Sequence, residues 1–343
     1  MKSRIIVCRK TINVGIVLFL ACGFSAHASN VFVSNSGNGT IVQLDSSGNE
    51  SVFASGLDDP AGLAFDGSGN LYVADSGNGT ILQFNSSGNA SAFASGLNDP
   101  TGLAFGNNNN LYVANSGTGT ILQFNSTGNS SVFASGLGSN VDPTYLAFGN
   151  GGNLYVSTTR TIEGFDSNGN ESAVFGANEF IEGLAVDNNS DLYVALQNAG
   201  FISRALGSGG PTTPLGYPFN VNVFEVNPAG LAFDNEGNLY ATFTQLGYFG
   251  TDGKLDVLDG VVMEFNASGQ GTVLATGLDN PEYIAVQNTQ SLPSVQFVPE
   301  PSTWAMMLAG LGIFWAGCRF LKTPPLAVSV SKTRCIDKSQ RKV

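Results

Sequence analysis

The middle of this 343-residue chain, from about Asn30 to Val298, contains no histidine and no cysteine. The single His is His27, and the four Cys are Cys8, Cys22, Cys318 and Cys335, all near the ends. A Ser-His-Asp triad, a cysteine nucleophile, a disulfide and a His/Cys zinc site are therefore excluded from the middle. Charge is scarce too, at 12% of residues. That excludes a long-helix or coiled-coil protein, which would be rich in Glu, Lys and Leu. Positive charge is almost missing: the middle holds three basic residues, Arg160, Arg204 and Lys254, against 24 acidic ones, a net −21. A body this acidic repels phosphate backbones and excludes nucleic acid as a partner. It is able to attract divalent cations such as Ca²⁺, or its acids are solvated turn residues that keep an exported protein soluble. Long hydrophobic runs are absent from the middle and occur only at the ends, at Thr11–Phe24 and Trp304–Cys318.

The N-terminal run is an address. Met1–Lys10 is basic, Thr11–Phe24 is apolar, and Ala26-His27-Ala28 places small residues at the two positions a signal peptidase reads. This is a three-part secretory signal over residues 1–28, cleaved between Ala28 and Ser29. A competing reading takes Leu20-Ala21-Cys22 as a lipobox with Cys22 lipidated. At the other end, Val298-Pro299-Glu300-Pro301-Ser302 precedes the uncharged Trp304–Cys318, and Arg319 and Lys322 follow. As a helix that stretch spans about 22 Å, short for a bilayer core of about 30 Å unless flanking residues extend it. Trp304 stands where an interfacial aromatic belongs, and the basic residues suit a cytoplasmic stop. On physics alone this is a borderline single-span anchor.

The run VPEPSTWAMMLAGLGIFWAGCR resembles the PEP-CTERM sorting signal of Gram-negative bacteria that make exopolysaccharide. The resemblance implies that Pro299, Glu300 and Pro301 are recognised by a membrane protease, exosortase, which releases or attaches the protein outside the cell. The match departs from the family in one respect: a basic tail, residues 323–343, follows the basic cluster where members usually stop.

Between the ends lies a repeat. Val31–Phe65 and Leu71–Phe105 are identical at 24 of 35 aligned positions. A marker resembling N-L-Y-V-A begins at Val31, Leu71, Leu111, Leu154, Leu192 and Leu239. A second, resembling P-x-G-L-A-F, recurs at Leu63, Leu103, Leu146, Leu184, Leu231 and Ile284. Each unit of about 40 residues reads as four short strands joined by Asn/Ser/Gly turns. In the third copy these are Gly102–Phe105, Leu111–Ala114, Thr120–Phe124 and Ser131–Ala134. Four strands per unit, six times, predict an all-β six-bladed β-propeller of four-stranded blades over residues 29–287. A signal peptide precedes it; a linker (288–297) and a sorting signal with one hydrophobic helix (298–322) follow. The chain enters at a second strand, Val31–Ser34, and leaves the array with an orphan first strand, Tyr283–Val286. The two are expected to share blade one and close the ring.

The units are similar to NHL-type repeats and to the wider six-bladed family of gluconolactonase-like and streptogramin-lyase-like enzymes. That resemblance is specific for fold and weak for function. Strand parity puts the loops before first strands and those between second and third strands on one face. There Asp59, Asp99, Asp142, Phe180, Asn227 and Asn280 precede the Pro-like position, and Asp75 and Asn115 stand nearby. Read functionally, Asp59, Asp99 and Asp142 help form an oxygen-rich ring for Ca²⁺; read structurally, they are turn residues. After the Pro-like position stand Ala61, Thr101, Thr144, Glu182, Ala229 and Glu282. Gluconolactonase-like relatives place a metal-binding Asn at a similar position, and here only Glu182 and Glu282 are able to coordinate a metal or do acid/base work. The lyase relatives use a catalytic His that the middle lacks. Two irregularities are candidate recognition loops. One is the blade-six insertion Gly247–Gly260, with Tyr248, Phe249, Asp252, Lys254, Asp256 and Asp259; the other is Ser203–Pro218 in blade five.

Two functions follow. One is a binding or scaffold module of the cell surface or extracellular matrix, with a polysaccharide or surface-protein ligand. The other is a cation-dependent lactonase-like hydrolase with its site in the channel. For either, signal peptidase and exosortase are the processing partners, and the membrane holds the precursor through the C-terminal span. N-terminal sequencing of the exported protein is expected to start at Ser29; a lipid-modified chain starting at Cys22 would overturn that cleavage site.

Overall fold

The computed structural model describes residues 29–45, 47–137, 142–176, 180–197, 200–205, 213–214, 223–249 and 255–287. The signal peptide, linker, sorting signal and basic tail lie outside these residues. Among those described, no helix is long and apolar enough to cross a membrane.

Six four-stranded antiparallel sheets form the body. Blade one takes β1 (Asn30–Asn35), β2 (Thr40–Leu44) and β3 (Glu50–Ser55) from the start of the array. Blade two is β4 (Pro60–Phe65), β5 (Leu71–Asp75), β6 (Thr80–Phe84) and β7 (Ala90–Ser95). Blade three is β8 (Pro100–Phe105), β9 (Leu111–Asn115), β10 (Thr120–Phe124) and β11 (Ser130–Ser135). Blade four is β12 (Leu146–Phe148), β13 (Leu154–Ser157), β14 (Thr161–Phe165) and β15 (Glu171–Gly176). Blade five is β16 (Ile181–Val186), β17 (Leu192–Leu196), β18 (Phe201–Ala205) and β19 (Thr213–Pro214). Blade six is β20 (Val223–Phe233), β21 (Leu239–Phe249), β22 (Leu255–Phe265) and β23 (Gly271–Ala275). The last strand, β24 (Pro281–Gln287), pairs with β1 from Asn30↔Gln287 to Asn35↔Pro281, so blade one is built from both ends of the array.

Burial falls from the axis outwards. Second strands such as β5 and β9 are buried along their whole length, whereas fourth strands such as β3 and β7 are mostly exposed. An inner strand is covered on both faces by neighbouring blades, which explains why L-Y-V-A carries no polar alternation. In five of the six blades the fourth strand holds one extra residue against the third, blade five being the exception among the described residues. Ile41 pairs with Ala54 and Val42 with Val52, which leaves Phe53 unpaired in a β-bulge. The bulge turns Phe53 onto Phe32, with ring centroids 5.0 Å apart and edge to face. Phe32 also meets Phe65 of the next blade at 5.2 Å. The same wedge recurs as Tyr72 between Phe93 and Phe105, and as Tyr112 between Phe133 and Phe148. Each edge-to-face pair contributes about 0.5–1.5 kcal/mol beyond its buried area.

The turns on the opposite face explain many of the acids. Asp66 Oδ1 accepts the Ser68 and Asn70 amides at 2.9 and 2.8 Å, and Oδ2 accepts Asn70 Nδ2 at 2.8 Å. Asp45 and Asp166 are bonded in the same way, and those bonds hold both carboxyls below the ordinary carboxylate range. These acids belong to Asx-type turns.

One expectation is corrected. The blade-six insertion is not a free loop: β21 and β22 run on through it, with Gly247↔Val257, Tyr248↔Asp256 and Phe249↔Leu255 paired. It is the outer part of a long hairpin in which β21 and β22, eleven residues each, stay paired where the other blades turn. Asp252 and Lys254 lie outside the described residues. In blade five, Ser203 belongs to β18, and much of 206–218 is also outside them.

Adjacent first strands approach so closely that a Cβ on Gly62, Gly102, Gly183 or Gly230 would strike the carbonyl of Thr101, Thr144, Ala229 or Glu282. Gly230→Ala is expected to cost about 1–3 kcal/mol by overpacking, read as a lower thermal midpoint. Gly67→Ala, whose Cβ would meet nothing nearer than 3.7 Å, is the control and should change stability by less than about 0.5 kcal/mol.

Candidate functional site

The site residues sit at or just before the start of the first strands. On β16, Ile181 pairs with Leu196 and Gly183 with Ala195, so Glu182 is the extra residue. On β24, Ile284 pairs with Val33 and Pro281 with Asn35, which sets Glu282 and Tyr283 together against Ser34. Bulges re-aim side chains, and the Glu282 charge from blade one is felt at Glu182 of blade five. Both are half-buried. Burial raises the Glu182 pKa above the ordinary carboxylate value, and the Glu282 charge adds to this. Burial likewise raises Glu282, with Asp59 contributing, against the lowering effect of hydrogen bonds from Asn280 and Ser36. Asn280 Nδ2 donates to Glu282 Oε1 at 2.5 Å and Ser36 Oγ at 3.2 Å.

The centre between these acids is occupied by two tyrosines. Four blades have Gly after the bulge residue; blades four and one have Tyr145 and Tyr283. These blades are opposite in the ring, so their side chains meet only across the axis. They stack with centroids 4.5 Å apart and planes 26° from parallel. Both are buried. Tyr283 Oη donates to the Thr144 carbonyl at 3.5 Å. Burial first, then the neighbouring acidic groups, drives both phenol pKa values far up, so both rings stay neutral.

A buried hydroxyl holds each of these strands. Ser34 Oγ accepts the Tyr283 amide and Ser157 Oγ the Tyr145 amide, each at 2.9 Å. In blade six Thr242 Oγ1 does the same for Gly230 at 2.8 Å. Blades two, three and five have Ala74, Ala114 and Ala195 at this register. Sequence reasoning sees Tyr in place of Gly after Asp142 and Asn280 but gives Tyr145 and Tyr283 no role, and it misses Ser34 and Ser157. The available signal was that two Gly-to-Tyr departures fall three repeats apart, each paired with an Ala-to-Ser change one strand away.

The aspartates before the Pro-like positions are turn residues on the expected face. Asp59, Asp99 and Asn280 adopt left-handed φ values of 54°, 53° and 55°, a conformation Asp and Asn tolerate better than most residues. Their carbonyls accept the Ser76, Ser116 and Ser36 amides. The Asp99 carboxyl takes the Ser76 hydroxyl at 2.6 Å, Asp59 faces Glu282 electrostatically, and Asp142 is exposed. Asp75 and Asn115 are buried pins: their Oδ1 atoms accept the Asp58 and Asn98 amides at 2.7 and 2.8 Å. Among the described residues no group of three or more His, Cys, Asp or Glu is arranged to hold a metal ion. The donor set as it stands is two half-buried carboxyls, with the Asp59 charge acting on one of them, short of the oxygen cage Ca²⁺ requires.

The fold is thus a six-bladed β-propeller in which two tyrosines from opposite blades stack across the axis. Residues 23–160 match the family described as SMP-30/Gluconolactonase/LRE-like region, the wider family rather than the NHL type itself. Residues 297–319 match the PEP-CTERM protein-sorting motif, the mark of an exported protein with a membrane-anchored precursor. No curated protein matches the chain at a significant level. Among solved structures, a protein of unknown function from Bacteroides caccae is 15% identical, with 76% of this chain and 100% of that one covered and a TM-score of 0.58. Virginiamycin B lyase from Staphylococcus aureus is 14% identical over 68% of this chain and 87% of that one, with a TM-score of 0.52. A gluconolactonase from Xanthomonas campestris is 14% identical over 74% and 89%, with a TM-score of 0.50. At these identities the likeness is one of fold.

Raised carboxyl pKa values mean that the folded chain holds protons more tightly than the unfolded one, so their contribution to stability falls as pH rises above about 4.5. The variant Glu182→Gln/Glu282→Gln is therefore expected to melt higher than the parent at pH 7. The gap should narrow towards pH 4, and a pH-independent gap would contradict this assignment.

Proposed function

We propose that this chain is an exported, surface- or matrix-associated propeller that acts as a binding and scaffold module, its ligand a polysaccharide or a surface protein. The observation that carries this reading is the Tyr145–Tyr283 stack on the channel axis. It occupies space on the axis between opposite blades, and the array carries no histidine or cysteine. The sorting motif supports placement outside the cell, and the near-identical early blades support a rigid scaffold rather than a shaped active site.

A second reading, the cation-dependent lactonase-like hydrolase, is favoured by the match of residues 23–160 and by the Glu182 and Glu282 carboxyls beside the plug. The two are separated by assay of the full-length chain. Gluconolactone hydrolysis is expected to stay at background with added Ca²⁺, Zn²⁺ or Mn²⁺, while the chain is retained on its own exopolysaccharide matrix fraction. A cation site at 100 times its dissociation constant would add about 2.7 kcal/mol, a rise in thermal midpoint of several degrees. Cation-dependent turnover with that rise would establish the hydrolase, and matrix retention equal to a control protein would overturn the scaffold.

A further inference from the structure

Blade one departs from the repeat twice at one place. At the second position of the second strand, five blades carry Tyr72, Tyr112, Tyr155, Tyr193 and Tyr240, whereas blade one carries Phe32. In blade three the hydroxyl has partners: Gln123 Nε2, directly across the strand pair, donates to Tyr112 Oη at 2.8 Å, and Asn108 of the first turn lies 3.4 Å away. Tyr193 and Tyr240 hydroxyls likewise donate to Asp187 and Asp234 of their own first turns, at 3.5 and 3.3 Å. Blade one keeps the glutamine, since Gln43 stands opposite Phe32, but Phe32 offers no hydroxyl. It also has no turn between first and second strands, because the two ends of the array meet there at Asn30↔Gln287.

A partly open cavity of about 110 Å³ lies at this seam. Its apolar side is Phe32, Phe53 and Phe65; its polar side includes Gln43, Asn85 and Gln287, and no lining side chain is charged. Asn30 Nδ2 donates to Gln287 Oε1 at 3.2 Å across the join. Aromatic walls with a few amide groups are the usual make-up of a small-molecule site. Amides offer both donors and acceptors, as vicinal hydroxyls require, and aromatic faces take the C–H side of a sugar ring. A charged ligand would find no counter-charge, which is costly on burial, and the net −21 array repels anions. A purely apolar ligand would strand the amides.

We propose that this seam pocket binds one neutral sugar residue. The site is separate from the channel, and it rests on the binding-module reading only for its biological use. The test is saturation-transfer NMR on the full-length chain in a sugar-free detergent. The probes are glucose, mannose and N-acetylglucosamine, with glucuronate as the charged control. Transfer to the C–H protons of at least one neutral sugar, and none to glucuronate, is expected. Phe32→Tyr, which restores the residue the other blades carry, is expected to abolish the signal with little change in thermal midpoint. Gln43→Ala, which leaves the aromatic packing alone, should weaken binding about tenfold, the worth of roughly one hydrogen bond. Absence of transfer from every neutral sugar, or transfer unchanged in both variants, overturns the pocket. Retention on the matrix fraction is read in parallel: retention without sugar transfer rejects the pocket alone, and loss of both rejects the binding module as well.

Discussion

Closure of the ring is the constraint on which everything else rests. A single four-stranded blade has two apolar faces on its inner strands and is able to bury neither by itself. Each becomes a core only when a neighbour covers it, and the first and last blades have neighbours only if the array closes. The pairing of β24 with β1 supplies that closure and removes an exposed edge of inner strand. Every aromatic wedge between blades, such as Phe32 on Phe65 and Tyr72 on Phe105, depends on the spacing that closure imposes.

Closure also sets what the axis is able to hold. Glycines let the first strands approach until a Cβ would collide with a neighbouring carbonyl. Where the glycine gives way to Tyr145 and Tyr283, the side chains have only the channel to enter, and being opposite they stack there. Glu182 and Glu282 are partly desolvated by burial, which shifts both carboxyl pKa values upwards. At the rim the buried Asp75 and Asn115 carry backbone amides, so the polar residues nearest the face are largely engaged in holding loops.

Much of the fold was legible in the residues. The 40-residue period, the four strand runs of the third copy and the shared blade one match the observed β8–β11 and the β24–β1 pairing. They were readable because hairpin turns and inner-strand burial each leave a local mark. The site was less legible. The two glutamates stood out as departures from the repeat, and the Glu282 charge is felt at Glu182. The tyrosines were visible as replacements of glycine but carried no role, because an aromatic in a strand reads as ordinary core until one knows that blades one and four face each other. The blade-six hairpin was misread as a loop because length alone does not distinguish an insertion from two strands extended in register. Phe32 for Tyr drew no notice for a similar reason: its consequence depends on a turn that the join of the two ends leaves out.

The sequence by itself determined the architecture and the address: strand number, blade number, mixed closure, an array without His, Cys or appreciable positive charge, and a sorting motif at residues 297–319. These are local or periodic properties, and local physics reads them directly. The tertiary structure alone decided that Tyr145 and Tyr283 stack across the axis, that the Glu282 charge acts on Glu182, and that a pocket opens beside Phe32. Each joins residues far apart in the chain, and their distance is set by the curvature of a closed six-blade ring, which no single repeat encodes.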